Sequence, residues 1–311
     1  MGNISEKERY NQKEELNIYS KTKTVVKRIV ILIAALAIIS VFLYYENNHL
    51  ETTGYEYDSD KVPKEFNGLR IVQISDLHNA TFGDNNLELY QQVAKIKPDI
   101  VLITGDIVDS NHTNIPVAVD FVKNMADFFP CPTYFVTGNH EGWLETEEKL
   151  ELYNGMEEAG VTVLSNEAVI ISRENGEWVC FEDDEMVTKD NSIRIVGLDD
   201  GSISTRALPT LMEEDGKNLF TILLSHEPTY FEWYVKNGPD MVFTGHEHGG
   251  QFRLPLVGAV IAPDQGLFPE LTEGVHTEGN TTMYISRGLG NSIIPFRLFN
   301  DPEIVYVVIN Q

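Results

Sequence analysis

Five short polar motifs, rich in histidine and acidic residues, each follow an apolar run of the sequence. Five of the eight histidines of the chain lie in them. Imidazole, carboxylate and amide groups are the ligands that zinc and other transition metals bind in proteins. Each motif alone also fits a turn or a helix cap, but together they supply enough ligands for two metal ions. In chain order the motifs are Ser75-Asp76-Leu77-His78, Gly105-Asp106-Ile107-Val108-Asp109, Gly138-Asn139-His140-Glu141, His226-Glu227-Pro228 and Gly245-His246-Glu247-His248.

The elements predicted around these motifs could bring them together. Short β-branched runs precede the motifs, and stretches with helical periodicity separate the early runs, which indicates an α/β body. Because functional groups in open α/β sheets gather at the carboxyl ends of strands, the motifs are predicted to meet at one sheet edge. The predicted strands are Leu69–Ser75, Asp99–Thr104, Thr133–Thr137, Ile193–Leu198, Leu219–Ser225 and Met241–Thr244, and the predicted helices are Asn85–Lys95, Ile115–Phe129 and Glu145–Glu158.

Two further regions lack this alternation of strand and helix. Val169–Arg173 and Trp178–Phe181, joined through Asn175-Gly176, are predicted to form a β-hairpin. The end of the chain contains the strand-like runs Met283–Ser286 and Glu303–Ile309 without a helix between them. These features favour a mixed or double sheet over a simple doubly wound sheet.

An uncharged apolar segment, residues 29–45, precedes the α/β body and contains only Ser40 as a polar side chain. Its 17 residues reach the low end of the length that crosses a bilayer, about 17–25 residues. Basic residues before it and tyrosines after it favour a single-pass signal anchor over a buried core helix or a cleaved signal peptide. We therefore predict a tail (1–28), a transmembrane signal anchor (29–45), a linker (46–66) and one large domain (67–311).

The distribution of charge predicts sidedness and excludes one class of partner. The chain has 311 residues and a net charge of −25, of which residues 1–28 contribute +3 and residues 46–311 contribute −28. The positive-inside rule places the tail in the cytoplasm and the domain on the extracytoplasmic side of the cell membrane. So acidic a domain repels phosphate backbones, which disfavours nucleic acid. Cys131 and Cys180 are too few for a four-cysteine zinc site, and the sequence does not decide whether they pair.

The five motifs, in this order, resemble the calcineurin-like metallophosphoesterase superfamily. Gly249-Gly250-Gln251 and Ser286-Arg287-Gly288-Leu289-Gly290 resemble its bacterial membrane-attached phosphodiesterase branch. The resemblance implies two mixed β-sheets packed face to face and flanked by helices, an α/β/β/α sandwich. It also implies a metal-dependent phosphoric ester hydrolase in which a metal-bridging hydroxide attacks phosphorus. Protein phosphatases of the superfamily have Arg-Gly where this chain has Ser110-Asn111, and the missing arginine disfavours phosphoprotein substrates.

The resemblance also implies roles for individual residues. His140 would stabilise the phosphoryl oxygens or protonate the leaving group, and Asp109 would orient it. The mixture of imidazole and carboxylate suits two divalent ions of Mn, Fe or Zn. Seven residues would bind these ions: Asp76, His78 and His248 on one, Asn139, His226 and His246 on the other, and Asp106 on both.

Several alternatives remain open on the sequence alone. The chain could be a membrane-tethered metal-binding module without catalysis, although His140 and Asp109, which no metal needs, argue against this. It could instead be a pyrophosphohydrolase acting on nucleotide- or lipid-linked precursors, or a binuclear hydrolase of another bond. Its predicted position favours a phosphoester substrate linked to lipid or to the cell envelope. The three basic residues near the later glycine motifs could bind phosphate or form structural ion pairs: Arg253, Arg287 and Arg297.

Overall fold

The structure is a computed structural model that describes residues 6–180, 186–200, 207–213, 218–262, 265–291 and 295–311. The chain divides into two compact units, Met1–Tyr45 and Glu46–Gln311. The described residues of the first unit, 6–45, lie in helix α1 (Glu6–Asn48), which is longer than the predicted anchor at both ends. Among the described residues, this helix alone has the length and apolar composition needed to cross a membrane. Whether it crosses one stays a prediction.

A six-stranded mixed sheet in the second unit carries the first three polar motifs. Its order is β1-β16-β2-β3-β4-β5; strands β2 to β5 run parallel to one another, and β16 is antiparallel to β2 and parallel to β1. Its strands are β1 (Glu51–Asp58), β2 (Leu69–Ile74), β3 (Ile100–Ile103), β4 (Thr133–Phe135), β5 (Thr162–Val163) and β16 (Glu303–Asn310).

The predicted linker, residues 46–66, therefore contains a strand, and this part of the prediction is wrong. Strand β1 pairs along its whole length with β16. Thr53, Tyr55 and Tyr57 form its half-buried face, while the residues between them are exposed. The polar and acidic residues of the exposed face obscured this period-two pattern in the sequence.

A seven-stranded mixed sheet carries the last two motifs, in the order β14-β15-β10-β9-β8-β6-β7. Strands β6 and β7 form the predicted hairpin, and Asn175 and Gly176 both have the positive φ that its tight turn requires. Phe181, the predicted end of that hairpin, lies outside the described residues. The strands are β6 (Glu167–Glu174), β7 (Glu177–Val179), β8 (Ser192–Gly197), β9 (Phe220–Leu224), β10 (Met241–Thr244), β14 (Gly274–Glu278) and β15 (Thr281–Ile285).

A third, small antiparallel sheet was not predicted. It consists of β11 (Phe252–Leu254), β12 (Gly258–Ala262) and β13 (Gly266–Leu267) and follows directly on the last polar motif.

The structure also answers whether the two cysteines pair. Both Cys131 and Cys180, which lie in the described part of the chain, are free thiols.

The two large sheets pack face to face, and helices cover their outer surfaces. Along β2, Ile71 belongs to the core between the sheets, together with Ile195 and Ile222 of the second sheet, whereas Val72 belongs to the core beneath the helices. This alternation confirms the predicted α/β/β/α sandwich. Helices α2 (Leu87–Ile96), α3 (Ile115–Phe128) and α5 (Thr146–Glu158) contribute to the core on the first sheet, and α6 (Ala207–Glu213) and α7 (Phe231–Asn237) to that on the second. Shorter helices in the described part of the chain include α4 (Asn139–Gly142) and the 3-10 turns Lys64–Phe66, Asp84–Asn86, Pro228–Tyr230 and His248–Gly250.

Candidate metal centre

All seven predicted metal ligands lie just beyond the carboxyl ends of strands. Six of them are buried, and Asn139 is half-buried. Buried polar groups require partners, so this concentration at one edge marks a site rather than a structural core. Asp76 and His78 follow β2, Asp106 follows β3, Asn139 follows β4, His226 follows β9, and His246 and His248 follow β10.

Strained backbone accompanies this placement. Five of the seven ligands have a positive φ, between 47° and 70°. The left-handed region is costly for residues other than glycine, about 1–3 kcal/mol each, and such residues cluster at functional sites. Gly105, with φ +91°, lies against the backbone of Gly138 and leaves no space for a Cβ, so the turns after β3 and β4 can approach closely. The five strained ligands are Asp76, His78, Asp106, His246 and His248.

One group of ligand atoms joins Asp76, His78 and His248, which all lie within 4.8 Å of one another. The Nε2 atoms of the two histidines are 3.2 Å apart, and Nε2 of His248 is 3.5 Å from Oδ1 of Asp76. Burial lowers the pKa of His78 to about 4 and holds the pKa of His248 well below its usual range. Both imidazoles are therefore neutral near pH 7, with a lone pair available to a metal.

The second group joins Asp106, His226 and His246, again within 4.8 Å. Nδ1 of His246 is 2.9 Å from Oδ1 of Asn139, which brings the predicted amide ligand to the same place. Oδ2 of Asp106 is 3.2 Å from Nε2 of His226 and 3.6 Å from Nε2 of His78. Asp106 thus lies between the two groups.

The contacts of His226 show that this place suits a cation. Its Nδ1 donates a hydrogen bond to the carbonyl oxygen of Thr104 at 2.7 Å, so the lone pair of Nε2 faces the carboxylate of Asp106. Two buried lone pairs at this distance repel unless positive charge lies between them. Burial would lower the pKa of His226, but the charge of Asp106 outweighs it and raises this pKa well above the usual range. A metal ion meets the same requirement, and the ligand set fits one.

Glu141 holds the turns after β3 and β4 in place, a role that the sequence analysis missed. Its side chain is fully buried and accepts four backbone N–H bonds: from Asp106, Ile107 and Gly138 at 2.8 Å each and from Val108 at 3.2 Å. These bonds fix the backbone at the predicted ligand Asp106 and directly before the predicted ligand Asn139. The signal that could have revealed this role was a glutamate at the third position of helix α4. There its side chain can accept a hydrogen bond from the backbone N–H of the residue before the helix.

His140 contacts Ser110 as well as Asp109, the residue that was predicted to orient it. Its Nδ1 accepts a hydrogen bond from the backbone N–H of Ser110 at 3.0 Å, with the Ser110 hydroxyl at 3.1 Å. Oδ1 of Asp109 is 3.6 Å away and accepts from the backbone N–H of Asn111 instead. Ser110 thus makes the hydrogen bonds to Nδ1, Asp109 lies within ion-pair distance of the same nitrogen, and the orienting role of Asp109 stays a prediction. With Nδ1 as an acceptor, the proton of neutral His140 lies on Nε2.

A second pair of carboxylates lies beside the second group. Glu227 and Glu247 join His246 within 4.8 Å, and Oε1 of Glu227 is 3.3 Å from Nε2 of His246. Neither carboxylate was assigned a role from the sequence. Their positions next to His226 and between His246 and His248 in the chain were the available signal.

The three later arginines make structural contacts. Arg253 pairs with Glu273, and Arg287 pairs with Glu51 at 2.6 Å. Arg297 is fully buried and donates to the carbonyl oxygens of Arg287 and Gly290, and its Nη2 is 3.4 Å from Nδ1 of His248. Of the two alternatives left open, the structure supports ion pairs and backbone bonds.

Comparisons with known proteins agree with this geometry. The sequence model of the Calcineurin-like phosphoesterase family matches residues 69–250. The metallophosphoesterase YkuE of Bacillus subtilis is 29% identical over 266 residues, 84% of this chain and 86% of that protein. The phosphodiesterase YaeI of Escherichia coli is 29% identical over 239 residues, 76% and 80% of the two chains. A transmembrane protein with a metallophosphoesterase domain from Danio rerio is 28% identical over 272 residues, 82% of this chain and 56% of that protein.

Proposed function

The chain belongs to the calcineurin-like phosphoesterase family, whose members are metal-dependent phosphoester hydrolases, and on that premise we propose a membrane-anchored phosphodiesterase with two metal ions in its centre. The position of Asp106 carries this proposal, because its Oδ2 is 3.2 Å from His226 and 3.6 Å from His78. One carboxylate between two ligand groups suits cations about 3.5–4 Å apart. The preference for diesters rests on the similarity to YaeI.

Each of the two ligand groups is assigned to one ion. When bound, two divalent ions of Mn, Fe or Zn supply positive charge for the phosphoester and lower the pKa of coordinated water. The ligand set contains only two carboxylates, so an anionic diester meets a centre of net positive charge. We assign Asp76, His78 and His248 to one ion, Asn139, His226 and His246 to the other, and Asp106 to both.

His140 supplies the proton in this proposal. Ser110 keeps Nδ1 as an acceptor, so the N–H of Nε2 is the group that can donate to a phosphoryl oxygen or to the leaving oxygen. Asp109 contributes charge at 3.6 Å and holds the turn through Asn111. Glu141 keeps the backbone of Asp106 fixed relative to that of Gly138, and His140 follows two residues later.

Hydrolysis of bis(p-nitrophenyl) phosphate by the detergent-solubilised full chain tests the proposal. We expect chelation to abolish turnover and Mn²⁺, Fe²⁺ or Zn²⁺ to restore it. Metal bound without turnover of any diester would favour a non-catalytic metal-binding module instead. Faster release of phosphate from a pyrophosphate-linked nucleotide than from the diester would favour a pyrophosphohydrolase.

Membrane anchoring is a separate part of the proposal. It is supported by the uncharged run at residues 29–45 within α1 and by the similarity to a protein named as transmembrane. We propose a cytoplasmic N-terminus and an extracytoplasmic domain, which suits substrates linked to lipid or to the envelope. Protease added outside intact spheroplasts should digest the domain and spare an N-terminal tag; the opposite pattern would contradict this sidedness.

A further inference from the structure

Five exposed apolar side chains lie on the described residues of the small sheet and beside its strands. We define the apolar sheet surface as Leu254, Leu256, Val257, Leu267 and Phe268, of which Leu267 and Phe268 are 69% and 65% exposed. The stretch from 254 to 262 contains no charged residue. Large exposed apolar side chains on one small sheet are typical of a surface that contacts a partner or a membrane.

Two residues of this surface have a strained backbone conformation. Leu256 has φ +70° and Phe268 has φ +56°. Bulky side chains rarely adopt the left-handed region, in which glycine or asparagine would fit without strain. Large apolar side chains at these two strained positions therefore serve something other than the stability of the backbone there.

The place where the chain enters the second unit lies beside this surface. Oδ1 of Asn47 accepts from the backbone N–H of Arg297 at 2.9 Å, and Arg253 of β11 donates its backbone N–H to Leu298 at 3.0 Å. The predicted membrane segment ends at Tyr45, two residues before Asn47. If that segment spans a bilayer, covalent continuity keeps the segment 295–300 and β11 close to the bilayer surface.

The same segment connects the surface to the metal centre. Asn300 donates from Nδ2 to the carbonyl oxygen of His248 at 2.6 Å. Gly250 lies so close to Ala259 of β12 that no Cβ would fit. The sheet is thus fixed to the backbone that carries a predicted metal ligand, two residues away.

We propose that the apolar sheet surface inserts into the lipid–water interface and holds the metal centre against the bilayer, where phosphodiesters of lipids are the substrates. This inference rests on the proposed function. Insertion by apolar side chains fits the charge of the domain, because a net charge of −28 repels anionic head groups. The nearby Arg253 and Arg287 are already paired with glutamates. Because no electrostatic attraction drives it, insertion should not be weakened by added salt.

Depth-dependent fluorescence quenching tests insertion directly. The full chain carrying Leu267→Trp is reconstituted in phosphatidylcholine–phosphatidylglycerol vesicles with brominated acyl chains, and the signal of the unsubstituted chain is subtracted. Leu150→Trp, on exposed helix α5, is the matched control, and Leu36→Trp reports the anchor. We expect strong quenching at Leu36 and Leu267 and none at Leu150.

The outcomes separate the two proposals. Quenching at Leu36 with Leu267 no more quenched than Leu150 overturns the docking surface and leaves the anchor standing; a protein partner would then be the occupant. Quenching at neither Leu36 nor Leu267 overturns the anchor and the docking surface together. Both outcomes are independent of catalysis.

Turnover provides a second measurement. We expect Leu256→Glu combined with Leu267→Glu to lower turnover of phosphatidyl-p-nitrophenol in vesicles about tenfold, since two charged side chains oppose insertion of this surface into the bilayer. Turnover of bis(p-nitrophenyl) phosphate in the same vesicles should stay unchanged, which shows that the variant is folded. Equal turnover of the lipid substrate by the variant and the unsubstituted chain would contradict the inference.

Discussion

The metal centre and the apolar sheet surface depart from ordinary burial in opposite directions. At the centre, Asp76 and His226 are fully buried although they are polar; on the small sheet, Leu267 and Phe268 are exposed although they are apolar. Both regions also hold residues other than glycine at positive φ. Both arrangements are unusual in a folded chain. In our two proposals a ligand accounts for each of them: a cation at the centre and a bilayer at the small sheet.

The largest effect is expected at Asp106, the residue between the two ligand groups. Asp106→Asn should lower kcat for bis(p-nitrophenyl) phosphate about a thousandfold or more, because metal charge stabilises the transition state by several kcal/mol. Metal content measured by mass spectrometry should fall with it. Asp120→Asn, on the exposed side of α3, is the matched control and should keep full activity. A fully active Asp106→Asn variant would remove the main support for the centre.

His140 should matter for turnover and not for metal. His140→Asn is expected to lower kcat about 10²–10⁴-fold, as is usual when a general acid is lost, with both metals retained. The matched control is His276→Asn, whose Nε2 contacts the carbonyl oxygen of Glu273 away from the site. Loss of metal in His140→Asn would make it a ligand rather than a proton donor.

A substitution at Glu141 tests whether its hydrogen bonds to the backbone hold the turns after β3 and β4 in place. Glu141→Gln replaces one acceptor oxygen by a donor that faces N–H groups, so the free energy of unfolding should fall by about 2–4 kcal/mol. Metal affinity should fall about 10–100-fold, as for other residues that position ligands. Chemical denaturation and metal titration measure the two effects, with Glu147→Gln as the exposed control. Unchanged stability would show that the four backbone bonds are dispensable.

The smallest effect on stability is expected at the apolar sheet surface. Leu256→Glu should change the free energy of unfolding in detergent by no more than about 0.5 kcal/mol, because the side chain is fully exposed. Leu102→Ala, in the core between the sheets, should cost about 2–5 kcal/mol. A large loss at Leu256 would mean that this residue supports the fold and would remove the contrast between the two regions.

The sequence predicted the strands whose residues are apolar in a short continuous run. Strand β9, predicted at Leu219–Ser225, is found at Phe220–Leu224. Strand β1 escaped prediction because acidic residues alternate with its half-buried tyrosines, and the small sheet escaped because its strands are short and separated by turns. Local pattern therefore revealed the buried strands and the edge hairpin of β6 and β7, which an Asn-Gly turn marks, but not β1 or the small sheet.

At the site, ligand types were readable from the sequence and their supports were not. His226 and His246 stand in short motifs, which local pattern shows. The contact of Arg297 with His248 joins residues 49 positions apart, and the bonds of Glu141 join two separate loops. The additional contact of Ser110 with His140 depends on a turn whose conformation the local sequence does not specify.

Anomalous X-ray diffraction from crystals grown with Mn²⁺ tests the central claim most directly. The account predicts two peaks about 3.5–4 Å apart, with the carboxylate of Asp106 touching both. A single peak, or two peaks of which only one contacts Asp106, would contradict it.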